Sequence, residues 1–302
     1  MSFTNLNSFV FFGGGTGLSN ILKPFVLSQN IPIDSTISAI VSTFDNGGSS
    51  GILRSKYGIP ALGDLRKVLS SLSSQSKSEF LEYRFRNKPL TQHVVGNLLL
   101  YSYLKKTNSL ESAIEIYKEK FTEKSIDVIP SSIISADLVG KFKKDIFFGE
   151  CNFEQISHEK LDDLSLLSKN KSNIRADKKI IDIIKNSSFI FFAPGSFYTS
   201  LMASMLPIGI IEAIKSSKAK TIFFQNRDKQ KFMNHLDFMN FKFGGFAPDF
   251  IASSNKDLRA KIQKKYPQIE FIFHDFFSSD SKIHEFQNTK IFFEDFLRSI
   301  NH

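Results

Sequence analysis

The chain has 302 residues, 41% of them hydrophobic, enough for one large domain with a full core or two modest ones. Its single cysteine, Cys151, excludes a disulfide framework or a Cys-based zinc site within one chain and fits a reducing cytoplasm. The net charge of +9 accompanies 33 Phe, no Trp and no dense basic block, so it reads as compositional bias; a nucleic-acid partner is not expected, although a positive field can draw in an anionic small molecule.

In chain order, Ser8 to Phe12 is a continuous apolar run, the pattern of a strand buried on both faces. It is too short for a signal peptide, and no segment reaches the roughly 20 apolar residues that span a bilayer, so a soluble cytoplasmic protein without membrane contact is expected. Gly13-Gly14-Gly15-Thr16-Gly17 ends the strand, and Leu18 to Leu27 reads as a helix. Ile37 to Phe44 is a second buried strand ending at Asp45. Asn46-Gly47-Gly48-Ser49-Ser50-Gly51 follows as a small-residue loop. Gly63-Asp64 opens a helix over 65–72, with Asp64 placed like an N-cap. A helix is predicted over His93 to Leu104.

Residues 105–180 are more charged and read as a small inserted α+β lobe: a helix over 110–121 and short strands near 126–129, 132–139 and 146–148. The strong pattern resumes with a strand at Phe189 to Phe192. A third small-residue loop comes next, Ala193-Pro194-Gly195-Ser196-Phe197-Tyr198-Thr199-Ser200. The helix after it runs to Ala213 and should kink or restart at Pro207. Strands follow at 221–224, 250–252 and 271–273, and Lys282 to Ile300 is a closing amphipathic helix. Apolar strands alternating with helices predict one α/β domain over 1–302, a Rossmann-like parallel sheet flanked by helices. In such sheets ligands sit at the carboxyl ends of the strands, where all three loops fall, so the loops should share one crevice.

The loop chemistry points to an anion. Glycines let backbone N–H groups approach a phosphate, and Thr16, Ser196, Thr199 and Ser200 add hydroxyl donors. The first loop is neither G-x-G-x-x-G nor a P-loop. Asp45 could meet a metal ion, a ribose hydroxyl or a substrate hydroxyl, and Gly47 to Gly51 could form an anion nest. The same run formally matches G-x-S-x-G, with Asp249 and His274 in hydrolase order, but Ser49 lies four residues beyond the strand and Tyr57-Gly58-Ile59-Pro60 argues against a long helix after it. Among the cations Arg54, Arg66, Lys67 and Arg227, Arg66 is the best placed for a diphosphate. His93 and Asn97 lie one helical turn apart. His158, His235, His274 and His284 are scattered, and no zinc-binding His pair is present.

These stretches together resemble the gluconeogenesis factor (YvcK-like) family, within the wider 2-phospho-L-lactate transferase (CofD-like) superfamily. The carrying residues are Phe12 to Ser19, Asp45 to Gly51 with Leu53-Arg54, Gly58-Ile59-Pro60 with Gly63 to Arg66, Tyr83-Arg84-Phe85, His93 with Gly96 to Leu99, and Pro194 to Ser200. The resemblance implies a nucleotide or nucleotide-sugar ligand, UDP-sugars in YvcK-like members, with links to cell-wall homeostasis and gluconeogenic growth. CofD-like members move a phospholactyl group from a guanosine diphosphate donor to a deazaflavin alcohol with magnesium. The expected ligand contacts are Gly13, Gly14, Gly15, Thr16, Gly17, Asp45, Asn46, Gly47, Gly48, Ser49, Ser50, Arg66, His93, Asn97, Pro194, Gly195, Ser196 and Thr199. Asp45 is the candidate for Mg2+, and Asp45, Asp64 and Arg66 are the candidate catalytic groups. A homo-oligomer is compatible with this reading. The family's Thr-Gln-Pro-Gly-Glu-Thr loop is replaced here by Gln225-Asn226-Arg227-Asp228-Lys229-Gln230.

Overall fold

Phe9, Val10, Phe11 and Phe12 are all fully buried because the strand they form, β1 (Ser8–Gly13), lies inside a sheet covered on both faces. Side chains alternate across the strand. Phe9 and Phe11 therefore face one apolar layer with Phe25, Phe191 and Phe293, while Val10 and Phe12 face another with Ile40, Phe192 and Met202. The protein is seen in a computed structural model that describes residues 7–124, 126–149, 161–170, 173–226, 231–278 and 283–300.

Among the described residues the main sheet has seven strands: β1, β2 (Thr36–Val41), β3 (Asp127–Pro130), β7 (Phe189–Phe192), β8 (Lys220–Phe224), β9 (Phe250–Ser253) and β10 (Glu270–Phe273). Their order is β10-β9-β8-β7-β1-β2-β3, and every pairing is parallel. The chain builds outward from β1 through β2 to β3, crosses back to β7, and builds outward the other way. The strand order thus reverses between β1 and β7, and a crevice opens at that point beyond the strand ends.

One face is covered by α1 (Gly15–Val26), α3 (Gly63–Ser71), α5 (Val95–Thr107), α6 (Leu110–Phe121) and α11 (Phe286–Ile300). The other carries α7 (Lys178–Lys185), α8 (Ile210–Ser216), α9 (Phe232–Lys242), α10 (Asp257–Lys265) and a second, antiparallel sheet. That sheet, ordered β5-β4-β6, comprises β4 (Ala136–Phe142), β5 (Asp145–Phe148) and β6 (Asp163–Ser168), and Leu138 and Leu164 bury into the layer of Val10 and Phe12.

The elements differ from expectation in instructive places. Helix α1 begins at Gly15, three residues before Leu18, because extended Gly14 serves as its N-cap. Strand β2 stops at Val41; Ser42 and Thr43 stay buried, and Thr43 Oγ1 donates to the Ser132 carbonyl. Gly48–Tyr57 is a ten-residue helix, α2, and Gly58 at φ +66° is its C-cap, so Tyr57-Gly58-Ile59-Pro60 marks the end of a helix rather than its absence. Asp64 is not an N-cap: Leu62 holds that position and Asp64 sits inside the first turn of α3. A short helix, α4 (Gln75–Glu82), had no clear signal, since its charged sequence buries only Leu81. Within 105–180, α6 packs beside α5 and β3 joins the main sheet, and the separate sheet occupies Ala136–Ser168. After the third loop a π-helical turn (Phe197–Met202) runs into Ala203–Met205, and α8 restarts beyond Pro207. Cys151, His158, Arg227 and Lys282 lie outside the described residues.

Candidate functional site

Two glycine loops meet at the strand-order reversal. Gly17, in the first turn of α1, lies so close to the loop after β7 that an added Cβ would stand 1.8 Å from the Pro194 carbonyl oxygen. Gly195 completes the approach at φ +115°, a conformation L side chains rarely adopt. Between the loops is a cleft of about 280 Å³. Gly14, Gly15, Thr16, Gly17 and Asn20 line one wall, and Pro194, Gly195, Ser196, Ser200 and Asn226 another; Asp45, Asp64, Lys67, Ile283 and His284 complete it. The α1 N-terminus opens here: its N-cap, Gly14, has no side chain to offer, and the Gly15 N–H is taken by the Asp64 carboxylate.

Two carboxylates give the cleft its chemistry. Asp45 follows the end of β2, and its Oδ1 accepts the Gly47 N–H at 2.7 Å. Asp64 is 9% exposed, wedged against Gly14 and Gly15. Burial raises its pKa to about 6, and the charge of Asp45 raises it further, against the Gly15 N–H, Lys67 and Arg66, which lower it. Among the described residues no three His, Cys, Asp or Glu side chains cluster as a metal site. A cation here would rest on Asp45 and Asp64 with oxygens from a ligand, the usual arrangement for magnesium beside phosphates.

His284, at 4% exposure, is the neutral polar member of the wall. Burial pulls its pKa down to about 4, His274 adds to this, and the Gln225 carbonyl opposes it. Its Nε2 lies 2.9 Å from that carbonyl, which places the ring proton on Nε2; Nδ1 has no partner among the described residues. The ring stacks on Phe276 at 4.7 Å and meets Phe277 edge-on, which fixes it in place.

Of the expected contacts, the structure brings Gly14, Gly15, Thr16, Gly17, Asp45, Pro194, Gly195 and Ser196 to this cleft, with Asp64 among the candidate catalytic groups. Thr199 supports it indirectly, donating to Ser196 Oγ at 2.7 Å. Gly13 is the last residue of β1, below the cleft lining. Arg66 is not there: it is 2% exposed, its Nε donates to Asn97 Oδ1 at 3.2 Å, and it ion-pairs with Glu82. Gly47 to Gly51 do not line the cleft either. They form the start of α2, where Gly51 N–H donates to the Gly47 carbonyl and Ser50 Oγ accepts from Leu62 and Gly63 N–H. Asn46 and Gly48 border a neighbouring recess of about 560 Å³, together with Arg54, which pairs with Asp137 at 2.7 Å.

The hydrolase triad does not form. Ser49 Oγ lies 3.3 Å from His93 Nδ1 and accepts the Val94 N–H, so His93 and Ser49 hold each other. Asp249 precedes β9, at the opposite end of the sheet, and accepts from Thr221; His274 Nε2 bonds the Asn288 carbonyl. In the sequence Lys67 stands among the cations near the loops but behind Arg66, and His284 is one of the scattered histidines. Lys67 carries one signal, its position three residues after Asp64, which puts both on one helical face. His284 carries none, because a lone histidine far along the chain has no local partner.

A family model described as 2-phospho-L-lactate transferase CofD matches residues 9–290. A gluconeogenesis factor from Halalkalibacterium halodurans is 34% identical over 221 residues, 72% of this chain and 66% of that one. The gluconeogenesis factor of Bacillus subtilis is 29% identical over 266 residues, covering 84% and 81% of the two chains. A crystal structure of a UPF0052-family protein from Bacillus halodurans superposes with a TM-score of 0.81 at 26% identity, over 99% of this chain and 100% of that one. Among the described residues no helix is long and apolar enough to cross a membrane.

Proposed function

This chain belongs to the 2-phospho-L-lactate transferase CofD family, alongside proteins named gluconeogenesis factor, and from that premise we propose that its cleft binds a nucleotide sugar by the diphosphate. The observation that carries the reading is the close meeting of the glycine-rich α1 N-terminus with the Pro194-Gly195-Ser196 loop where the strand order reverses. The two backbone loops border a ligand-sized space, and a helix N-terminus favours phosphate. Asn20, the Ser200 hydroxyl, the Ser196 hydroxyl that accepts from Thr199, and Asn226, which donates to the Gly195 carbonyl, line the space that sugar and ribose oxygens would fill. The protein then acts as a cytoplasmic metabolic or regulatory factor, and the connection to cell-wall homeostasis and carbon metabolism rests on the family resemblance.

Asp45 and Asp64 fit a magnesium ion: two carboxylates share one cleft, and their mutual repulsion is part of what raises Asp64. Such an ion would offset phosphate charge and orient the diphosphate. Asp45 keeps one oxygen on the Gly47 N–H and so holds a fixed orientation.

A second reading, a transferase, draws on Asp64 itself. A carboxyl titrating near 6 can take the proton of an acceptor hydroxyl at neutral pH. The freed oxygen then bonds to the phosphorus of a nucleoside-diphosphate-linked donor as the bridging oxygen departs with the nucleoside monophosphate.

A thermal-shift panel tests both, since a ligand that binds only the folded state raises its melting temperature. Stabilisation by UDP-sugars without turnover is the expected result. Stabilisation by GDP with magnesium, together with product from a deazaflavin alcohol and the matching guanosine diphosphate donor, selects the transferase. No shift with any nucleotide overturns both readings.

A further inference from the structure

The cleft lies beside two carboxylates, yet the nucleotide reading requires it to accept a diphosphate. Arg66, the cation that sequence favoured, is committed to Asn97 and Glu82 in the interior. Lys67 is different. It lines the cleft, and its aliphatic stem crosses the start of α1, where a Cβ on Gly15 would stand 2.5 Å from Lys67 Cδ and 3.0 Å from its Cβ. Glycine at 15 is what leaves room for that crossing. Among the described residues its ammonium makes no ion pair or hydrogen bond, although its charge is felt at Asp64. Among the described residues the other charged side chains lining the cleft are the Asp45 and Asp64 carboxylates. In the same wall His284, 4% exposed, leaves Nδ1 as a second polar group without a partner among the described residues.

We propose that Lys67 is the cation of this site: its ammonium, passing over Gly15, holds a diphosphate against the α1 N-terminus and allows the ligand to bind before any divalent ion is present. A flexible ammonium suits a phosphate oxygen as a point charge. It also offsets the repulsion that Asp45 and Asp64 exert on an incoming anion. The inference deepens the nucleotide reading and takes the class of ligand from it.

The test is calorimetric titration with inorganic pyrophosphate, UDP and GDP, in EDTA and then in magnesium, on the wild type, Lys67→Met and Lys67→Arg. Charge-assisted hydrogen bonds contribute enough that Lys67→Met should weaken pyrophosphate binding in EDTA about tenfold or more. Lys67→Arg should restore binding to within about threefold, because it keeps the charge. If Lys67→Met melts below the wild type, Lys67→Gln replaces it. Equal pyrophosphate affinity in wild type and Lys67→Met, or no wild-type binding without magnesium, overturns the assignment. If pyrophosphate binding depends on Lys67 but UDP and GDP bind no tighter than pyrophosphate, Lys67 stands and the nucleotide reading falls.

Discussion

Asp64 shows how one residue's surroundings set its chemistry. Its folded pKa of about 6 stands above the ordinary carboxylate value of 3.8, so the folded state holds its proton more tightly than the unfolded chain. Below about pH 4 both states are protonated and the site costs nothing. As pH rises through about 6 the buried carboxyl must ionise beside Asp45, and stability falls. At one pKa unit per 1.36 kcal/mol, the cost approaches about 3 kcal/mol above pH 7 as an upper bound. Asp64→Asn should therefore melt higher than the wild type at pH 8, with the gap closing by pH 4, as measured by calorimetry across pH. The opposite trend would mean that Asp64 is stabilised as a carboxylate. His284 behaves in the contrary sense: held neutral with a pKa near 4, it leaves an acceptor in the wall at physiological pH.

At the scale of elements, the site depends on how closely α1 approaches the loop after β7. Gly17 has no φ requirement, but the space for its Cβ is already filled by the Pro194 carbonyl, a backbone atom that cannot swing aside. Gly17→Ala should cost about 2 kcal/mol or more, in the range of overpacked cores. Urea unfolding would read that loss, and a neutral result would mean that the two loops separate freely. The sequence carried β1, α1, β7 and the Pro207 break well, because buried Phe runs, loop glycines and a proline act locally. It missed α4 and the start of α2. A helix with a single buried residue lacks periodicity, and Gly48-Ser49-Ser50-Gly51 looks like a loop until Ser50 is seen receiving Leu62 and Gly63 N–H.

For the whole molecule, the second sheet is joined to the rest by the shared apolar layer and by polar ties, Lys242 of α9 to Asp163 of β6 at 2.6 Å and Arg54 of α2 to β4. Arg54 of α2, 8% exposed, donates to Asp137 at 2.7 Å and to Ser135 at 3.3 Å, at the start of β4. Asp137 is half exposed, which keeps the pair below the value of a fully buried one. Arg54→Met should lose about 1–2 kcal/mol, mainly by leaving Asp137 and Ser135 unmatched. Hydrogen exchange should speed up in β4 and β6 more than in β1 and β7; uniform change would mean that the sheets open as one unit.

The sequence by itself determined a parallel α/β chain with small-residue loops at its strand ends and the residues that place it in its family. Those signals are local: an apolar run buries on both faces and glycines turn the chain wherever they stand. Only the tertiary structure decided which side chains face the cleft. Arg66 and Lys67 are neighbours, but successive residues on a helix point about 100° apart. The rotation of α3, set by Leu65, Val68 and Leu69 in the core, sends the arginine inward and the lysine to the cleft. His284 reaches the same wall from the far end of the chain, through the stacking of Phe276 and the carbonyl of Gln225.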